Sequence, residues 1–438
     1  MKKRILIVGQ CTLQLGRMEY GNIGNYYILE PLVRCIRKTF PDANLFTTFQ
    51  LTKKFSEREK IISLPIDLYY SWGKNNLKSA YRELEIAKTY NKTSRLITPT
   101  PYINEVLKSN LIIDFSGDIW GDNADLVGKD RFLVGLIKDR VAQLLKKKTI
   151  MLAGSPGPFN DEKTKKFAKE VYRHFDLVTN RESISTELLE KEGFDISKTK
   201  NLACPSFLFE ISHKNNAIKI LKRACLINDG IPIVGFVLCG WNFKKGPFDK
   251  KNRKINEYIQ FVEMIEYISE NHKVNVCLMS HSNGFTISSG KIKLIHGRDY
   301  KIIKKVEEIL KDRGIAKNIF SLNEIYDPKT TKAIIGNFDI LISGRIHGAV
   351  AALSQAVPTV IIDYGHEPKA HKVRGFSKLI GVRKYLADPS KKDDLISKFR
   401  DCWSHRVSIR KHLDKRMPWI KKLAWQNFDL IKSLDKKT

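Results

Sequence analysis

A chain of 438 residues is too long for one ordinary hydrophobic core, so its length predicts two domains. Hydrophobic residues make up 42% of the chain and charged residues 28%, which is typical of a globular protein, and the lack of an apolar run of about 20 residues excludes a membrane-spanning helix. The net charge of +30 favours anionic partners such as phosphorylated substrates, anionic lipids or nucleic acid, although exposed lysines can also simply solvate a surface.

Seven cysteines are scattered along the chain, and none of them forms a C-x-x-C pair. An odd number without paired spacing argues against a disulfide framework and a zinc site, and it favours the reducing cytoplasm. The first apolar stretch, Ile5 to Val8, follows basic residues but is too short for the core of a signal peptide. It predicts a first strand, and we expect a cytoplasmic protein without a metal site.

Apolar runs alternate with amphipathic stretches through both halves of the chain. The predicted strands cover 5–8, 111–115, 149–153, 177–179, 232–238, 274–279, 319–322, 339–342 and 359–362, and the predicted helices 23–40, 132–145, 253–270, 300–313, 330–337 and 348–356. This alternation predicts two Rossmann-like, doubly wound α/β domains, 1–215 and 225–385, with a ligand cleft between them. Residues 51–100 are expected to form an insertion or a cap.

Residues 386–438 predict a helical C-terminal segment. Its apolar residues fall roughly on one helical face and comprise Trp419, Ile420, Leu423, Ala424, Phe428, Ile431 and Leu434. The simpler interpretation is a helix docked on the body of the protein. The alternative is a basic amphipathic helix that lies on the anionic inner face of a membrane.

The most informative segment is the turn Ser343-Gly344-Arg345-Ile346-His347-Gly348, between a buried strand and a small-residue helix. Ligands of open α/β sheets bind outside the carboxyl ends of the strands, where helix N-termini present unpaired N–H groups. Arg345 adds donors that suit a carboxylate or phosphate, and His347 can carry a proton near neutral pH. The turn therefore predicts an anion site, although Arg345 could instead pair with a structural carboxylate and His347 could cap the helix.

Other predicted strand ends also carry glycine or polar residues. They include the turns 21–25, 116–118 and 154–159, the helix start at Arg181, the strand end at His281 and the loop from Tyr364 to Lys372. Each signal is weak alone, because a glycine can simply allow a tight turn and Asp118 can simply cap a helix. Their common position at strand carboxyl ends gives them weight.

The order of these motifs resembles the polysaccharide pyruvyl transferase family over roughly residues 5–385. The matching segments are Gly21 to Asn25, Ser116-Gly117-Asp118, Gly157-Pro158-Phe159, Arg181-Glu182-Ser183-Ile184-Ser185, Cys204-Pro205-Ser206-Phe207, His281, Arg345-Ile346-His347-Gly348, Ala356-Val357-Pro358 and Tyr364 to Lys372. Three positions depart from the family pattern: Asn25 and Cys204 stand where an Asp is usual, and Ser116 replaces a Gly.

The resemblance implies two α/β domains in a GT-B-like arrangement, with the N-terminal domain on the acceptor side. It also implies transfer of a pyruvyl group from phosphoenolpyruvate to a sugar of a cell-surface polysaccharide or its lipid-linked precursor, giving a pyruvate ketal. It implies neither a metal nor a cofactor.

Ketal formation needs cations for a carboxylate and a phosphate, an acid for the methylene carbon and a base for the sugar hydroxyl. The candidate catalytic residues are His347 as the acid and Asp118 or Asp114 as the base. The candidate substrate-binding residues are Arg345, Gly348, Arg181, Lys372, His281, Asn22, Gly24 and Asn25.

Two other functions remain open. A GT-B glycosyltransferase that uses a nucleotide sugar would also need an anion site at these strand ends, together with an aromatic residue or an acid for the nucleoside. A nucleic-acid binder would concentrate basic and aromatic residues on one face, whereas the positive charge here is spread along the chain, so no nucleic-acid partner is expected.

Overall fold

A computed structural model describes residues 2–10, 14–71, 75–124, 130–212, 214–227, 230–243, 253–288, 291–365 and 370–436. The contacts between residues divide the chain into two compact units. Unit 1 comprises Met1–Met18, Glu30–Pro205 and Leu423–Thr438, and unit 2 comprises Glu19–Leu29 and Ser206–Lys422. The segment 386–438, which was predicted as a separate helical part, is therefore divided between the two units.

Unit 1 contains a seven-stranded parallel sheet. Its strands are β1 (Arg4–Val8), β2 (Asn44–Thr47), β3 (Ile61–Ser63), β4 (Leu111–Asp114), β5 (Lys148–Gly154), β6 (Leu177–Asn180) and β7 (Thr199–Asn201), and their order is β3-β2-β1-β4-β5-β6-β7. The central strands β1, β4 and β5 are almost wholly buried. This explains their continuous apolar sequences, because a parallel sheet is covered on both faces.

Within the described part of the chain, eight α-helices precede the end of β7. They are α1 (Arg17–Tyr20), α2 (Ile23–Thr39), α3 (Lys53–Glu59), α4 (Asn76–Thr93), α5 (Pro101–Lys108), α6 (Arg131–Leu144), α7 (Glu162–Arg173) and α8 (Ser183–Lys191). Residues 51–100 were expected to form an insertion or a cap. This is wrong for residues 61–63, because they form β3, which pairs in parallel with β2 at the edge of the main sheet. Helix α4 packs its buried side, including Ala80, Leu84 and Ala87, into the core of unit 1.

Unit 2 contains a six-stranded parallel sheet and a separate hairpin. The strands are β8 (Ile233–Val237), β9 (Asn275–Met279), β10 (Asn283–Ser288), β11 (Lys291–His296), β12 (Ile319–Leu322), β13 (Ile340–Ser343), β14 (Thr359–Ile362) and β15 (Leu386–Ala387). The sheet order is β12-β9-β8-β13-β14-β15, and β10 pairs with β11 in antiparallel fashion. Both sheets thus reverse their chain order once, beside β1 in unit 1 and beside β8 in unit 2. This is the doubly wound topology that the sequence predicted.

The remaining helices complete unit 2 and the C-terminus. They are α9 (Lys214–Arg223), α10 (Ile259–Asn271), α11 (Arg298–Asp312), α12 (Pro328–Ile335), α13 (Ile346–Leu353), α14 (Ala370–Ile380), α15 (Asp394–Ser404) and α16 (Arg406–Lys436). Most of the apolar face predicted for the C-terminal helix is buried, including Ile420, Ala424, Phe428 and Ile431, whereas Trp419 is 42% exposed. The docked interpretation of this helix is therefore confirmed.

Two strands of the hairpin, β10 and β11, were not predicted. Most of their side chains are exposed or half-buried, so the pair lacks the apolar run that marks the buried strands.

None of the helices formed by the described residues is both long enough and apolar enough to cross a membrane.

Candidate functional site

The switch point of the unit 2 sheet lies between its neighbouring strands β8 and β13. The chain leaves β13 through Gly344 and enters α13 at Arg345, which occupies the N-cap position of that helix. The Asn242 side chain, from the turn after β8, lies directly against the Gly344 backbone, so any Cβ at position 344 would collide with it. Gly344 therefore allows the two strand-end turns to approach each other closely.

Arg345 is held by a buried carboxylate. Its Nε and Nη2 atoms donate to the two oxygens of Asp299, over 2.8 Å and 2.5 Å, and the Asp299 side chain is fully buried at the start of α11. Burial works to lower the pKa of the Arg345 guanidinium, but Asp299 more than offsets it, so the pKa lies above its ordinary value. The alternative prediction, that Arg345 pairs with a structural carboxylate, is therefore confirmed. Asp299 fixes the orientation of the guanidinium and keeps it charged.

The third guanidinium nitrogen of Arg345, Nη1, makes no hydrogen bond with the described residues. The side chain is 16% exposed. An oriented cation with one uncommitted donor suits an anionic ligand, because the donor needs no reorganisation to bind it.

His281 follows β9 and lies fully buried beside this arginine. Its ring packs edge-on against Tyr27, with ring centroids 5.5 Å apart, and its Cδ2 atom would be 3.6 Å from a Cβ at Gly348. Burial and the nearby Arg345 charge lower the pKa of His281 to about 3, so the ring is neutral at physiological pH. Neither ring nitrogen has a hydrogen-bond partner among the described residues, although such buried groups are normally satisfied.

His347 is the second residue of α13 and lies half-buried against the beginning of α2. A Cβ at Gly24 would be 2.7 Å from its Nδ1 atom, so only glycine allows this approach. The Asn22 side chain accepts a hydrogen bond from the Gly24 N–H over 3.0 Å, and Asn22 also bridges to Ser282. The turn 21–25 and the Arg345 turn, distant in sequence, thus meet in unit 2, whereas the sequence prediction placed 21–25 in the N-terminal domain. The Asn25 N–H donates to the Asn22 carbonyl over 2.9 Å.

Two aromatic rings and a lysine form a cluster in unit 2 that is linked to Arg345 through Tyr364. The rings of Trp241 and Tyr364 lie 5.9 Å apart and tilted by 30°. The Lys372 ammonium, at the beginning of α14, lies 5.9 Å from the Tyr364 ring centroid, and the Tyr364 hydroxyl contributes to the electrostatics of Arg345. Residues 366–369 of the predicted Tyr364 to Lys372 loop lie outside the described residues.

In unit 1, Asp114 shapes the turn at the end of β4. Its two oxygens accept hydrogen bonds from the Ser116 N–H over 2.9 Å and from the Ser116 hydroxyl over 2.8 Å. Burial raises the pKa of Asp114 to about 7, although the hydrogen bonds from Ser116 oppose the shift. A buried carboxylate with both oxygens engaged is a turn-forming group, whereas the Asp118 side chain is 21% exposed.

Arg181 lies at the end of β6 and is almost fully buried. Its Nε donates to the Ser155 hydroxyl over 2.8 Å, and its Nη2 lies 3.7 Å from the Asp118 carboxylate. Burial works to lower the pKa of the Arg181 guanidinium, but Asp118 and Cys204 more than offset it and raise the pKa. The next residue, Glu182, caps α8 by accepting from the Ser185 N–H over 3.0 Å, so half of this motif is a helix cap.

The structure therefore gathers the predicted residues into two groups. Unit 2 holds Arg345, His347, Gly348, His281, Lys372, Asn22, Gly24 and Asn25, and unit 1 holds Asp114, Asp118 and Arg181. Sequence reasoning missed Asp299, Asn242 and Trp241. Asp299 carries no local signal, because it lies 46 positions before its partner and follows an exposed hairpin. Asn242 and Trp241 follow a predicted strand, so attention to every strand end could have found them.

Comparisons with known proteins show which family and which relatives the chain resembles. The family model described as polysaccharide pyruvyl transferase matches residues 22–366. Among curated proteins, the amylovoran biosynthesis protein AmsJ from Erwinia amylovora is 23% identical over 419 residues, covering 90% of this chain and 88% of that protein.

The fold is shared with several solved structures at low sequence identity. HepE from Anabaena, solved in complex with UDP, superposes with a TM-score of 0.57 at 13% identity, covering 99% of this chain and 98% of that one. The UDP-GlcNAc 2-epimerase from Methanocaldococcus jannaschii has a TM-score of 0.53 at 15% identity, covering 91% and 92%. Together with the two parallel sheets, these similarities show a GT-B-like fold.

Proposed function

Because this chain belongs to the polysaccharide pyruvyl transferase family, we propose that it transfers a pyruvyl group from phosphoenolpyruvate to a sugar of a cell-surface polysaccharide or its lipid-linked precursor. The product is a pyruvate ketal. The observation that carries the proposal is the Arg345 turn: an arginine fixed by a buried carboxylate stands beside His347 at the start of α13. The amylovoran biosynthesis role of the relative AmsJ supports a surface polysaccharide as the acceptor.

The reaction forms two carbon–oxygen bonds and breaks one. A proton adds to the methylene carbon of the donor while one sugar hydroxyl adds to the neighbouring carbon. A second hydroxyl then closes on the same carbon as inorganic phosphate leaves. The two hydroxyl protons balance the proton gained by the methyl group and the proton taken up by the phosphate.

Roles for the residues in unit 2 follow from their chemistry. Arg345 and Lys372 provide two positive charges for the donor's carboxylate and phosphate, and the N–H groups at the start of α13 add further donors near Gly348. His347 provides the proton for the methylene carbon, since imidazole titrates near neutral pH. His281, held neutral by burial, acts as a hydrogen-bonding group for the donor rather than as an acid.

The residues in unit 1 are assigned to the acceptor. Asp118 takes the proton from the sugar hydroxyl, and Arg181, whose Nη2 lies 3.7 Å away, orients its carboxylate. Asp114 shapes the turn that presents Asp118. Cys204 stands where the family has an Asp, so Arg181 here has a thiol for a neighbour in place of a second carboxylate.

The test is a transfer assay with phosphoenolpyruvate and a library of lipid-linked and free glycans, followed by mass spectrometry for the ketal. We expect His347→Asn to lower the turnover rate about 100-fold or more, since general acid catalysis contributes about 10²–10⁴. Gly24→Ala should also lower the turnover rate, because the new methyl group displaces the His347 ring. In a chain that already carries His347→Asn, Gly24→Ala should lower the rate little more. Near-normal turnover by His347→Asn would exclude His347 as the acid.

A specific observation also favours a second function, a glycosyltransferase that uses a nucleotide sugar. Trp241 and Tyr364 form a pair of aromatic rings, and Tyr364 interacts electrostatically with Arg345. HepE, which shares the fold, was solved with UDP, and the 2-epimerase, which also shares it, is named for UDP-GlcNAc. Titration calorimetry with phosphoenolpyruvate, UDP and UDP-glucose separates the two functions. Binding of UDP-glucose without binding of phosphoenolpyruvate would favour the glycosyltransferase.

A further inference from the structure

A groove of about 540 Å³ lies between three helices of unit 1, and none of the candidate site residues lines it. Its walls come from α4, α6 and α7. The volume falls in the range of ligand-binding clefts, about 300–1,000 Å³. The transfer chemistry proposed for the strand ends makes no use of this groove.

The floor of the groove is apolar. It consists of Leu84 from α4, Leu133 and Leu144 from α6, and Phe167 from α7, which all belong to or pack against the core of unit 1. At its edge, the aromatic side chain of Tyr81 is 46% exposed. The groove is therefore a place where the hydrophobic core reaches the surface.

The rim of the groove is basic. It carries three cations, Lys88, Arg140 and Lys163, against the two acids Asp161 and Glu170, so its formal net charge is +1. Asp161 caps α7 by accepting from the Thr164 N–H over 2.8 Å, and Glu170 pairs with Arg140 over 3.0 Å.

The surfaces of α4 and α7 around the groove also carry a net positive charge. Helix α4 carries four lysines and arginines against two acids, and α7 carries five against two. Lys88 does pair with Glu85, but both side chains are exposed, so the pair contributes little and leaves the lysine available.

We propose that this groove binds an anionic membrane lipid, with hydrocarbon against the apolar floor and the headgroup phosphate at Lys88 and Lys163. The commitment to a lipid follows from charge complementarity: an apolar floor inside a basic rim matches an amphiphile with a negative head. The C-terminal helix, the segment that the sequence suggested for membrane contact, buries most of its apolar face instead.

The test is co-sedimentation of the full chain with vesicles, which requires neither phosphoenolpyruvate nor transfer and is thus independent of the proposed reaction. Vesicles contain phosphatidylcholine alone or with 30% phosphatidylglycerol. We expect binding to the anionic vesicles only, and a loss of about tenfold or more in the Lys88→Glu/Lys163→Glu variant, since each lysine contributes about fivefold. Tyr81→Ser changes an exposed position and should weaken binding of the vesicles more at high salt than at low salt. High salt screens the lysines, so the apolar contact then provides most of the remaining binding.

The matched control is Lys219→Glu/Lys222→Glu on α9 of unit 2, which makes the same change of charge at exposed positions. This variant should bind as the parent chain does. Equal loss in both variants would mean that total charge alone drives binding, and it would overturn the proposal. Mapping of photoactivatable phosphatidylglycerol should label peptides from α4, α6 or α7, whereas labelling confined to other segments would also overturn it.

Discussion

At the scale of single residues, the buried pair of Arg345 and Asp299 decides what a mutation at the candidate site can reveal. The Asp299 carboxylate is fully buried and two of the three guanidinium nitrogens bind it. Removal of the arginine would leave an unpaired buried charge, which commonly costs about 3–5 kcal/mol. Loss of activity in an arginine variant is therefore ambiguous unless stability is measured too.

We predict that Arg345→Met lowers the free energy of unfolding by about 3–5 kcal/mol in urea denaturation. Asp299→Asn added to the same chain should recover at least half of this loss, because the unpaired charge is then gone. Turnover should stay lost in the double variant, since the donor that we propose for the anion is missing. Recovery of turnover along with stability would show that Arg345 serves only to satisfy Asp299.

His281 gives a prediction with a definite sign for pH. Burial and Arg345 lower its pKa to about 3 in the folded chain, whereas an unfolded histidine titrates near 6.5. Below pH 6.5 the folded chain therefore binds fewer protons at His281 than the unfolded chain does. As the pH falls from about 6.5 towards 3, the free energy of unfolding decreases by up to about 1.4 kcal/mol per pH unit.

The measurement compares the parent chain with His281→Gln in urea at pH 7.5, 6, 5 and 4.5. The difference between their free energies of unfolding should shrink or reverse towards low pH, as only the parent chain has the histidine. Asp114 acts with the opposite sign, because its raised pKa of about 7 makes stability fall as the pH rises from about 4 to 7, but it is common to both chains and cancels. A constant difference across this range would contradict the prediction.

At the scale of elements, a fully buried asparagine helps to join α16 to the unit 1 sheet. Asn427 is fully buried, accepts from the Thr179 hydroxyl over 2.7 Å and donates to the Ala203 carbonyl over 3.0 Å. Thr179 in turn accepts from the Ala153 N–H over 2.8 Å. The helix thus connects β5, the end of β6 and the residue before Cys204.

We predict that Asn427→Ala lowers the free energy of unfolding by about 2–3 kcal/mol, because buried partners lose their hydrogen bonds. The control is Asn91→Ala on the exposed side of α4, which should change it by less than about 0.5 kcal/mol. Thermal and urea denaturation of both variants measure the difference. Equal effects would show that the buried network contributes nothing specific.

The sequence predicted the buried elements well and the polar partners poorly. The apolar runs at β4, β9 and β13 mark their strands within one or two residues, since both faces of a parallel sheet are covered. The hairpin β10–β11 escaped because most of its side chains are exposed or half-buried. The pairing of Arg345 with Asp299 and the meeting of Gly24 with His347 depend on tertiary packing, and no spacing in the sequence encodes them.

At the scale of the whole molecule, unit 1 is assembled from three separate segments of the chain. The last of them, Leu423–Thr438, supplies the fully buried Ala424 and Phe428. Burial of a side chain such as phenylalanine contributes about 1.5–3 kcal/mol, so the segment as a whole provides a large share of a typical domain stability of about 5–15 kcal/mol.

We predict that a chain ending at Lys422 loses the folded state of unit 1, whereas a chain ending at Lys436 keeps it. Limited proteolysis with identification of the fragments by mass spectrometry checks this. Cleavage in the shorter chain should concentrate within residues 30–205 and proceed at least about tenfold faster than in the longer chain. Equal protection of both chains would show that the last segment is dispensable.

The three-segment assembly of unit 1 also orders events during synthesis. The ribosome completes residues 1–205 long before it reaches 423, so the first unit to be translated is the last that can finish folding. Nascent chains will carry an uncovered apolar surface while unit 2 emerges, and a stop codon introduced shortly before the codon for Leu423 will damage the N-terminal half of the protein most.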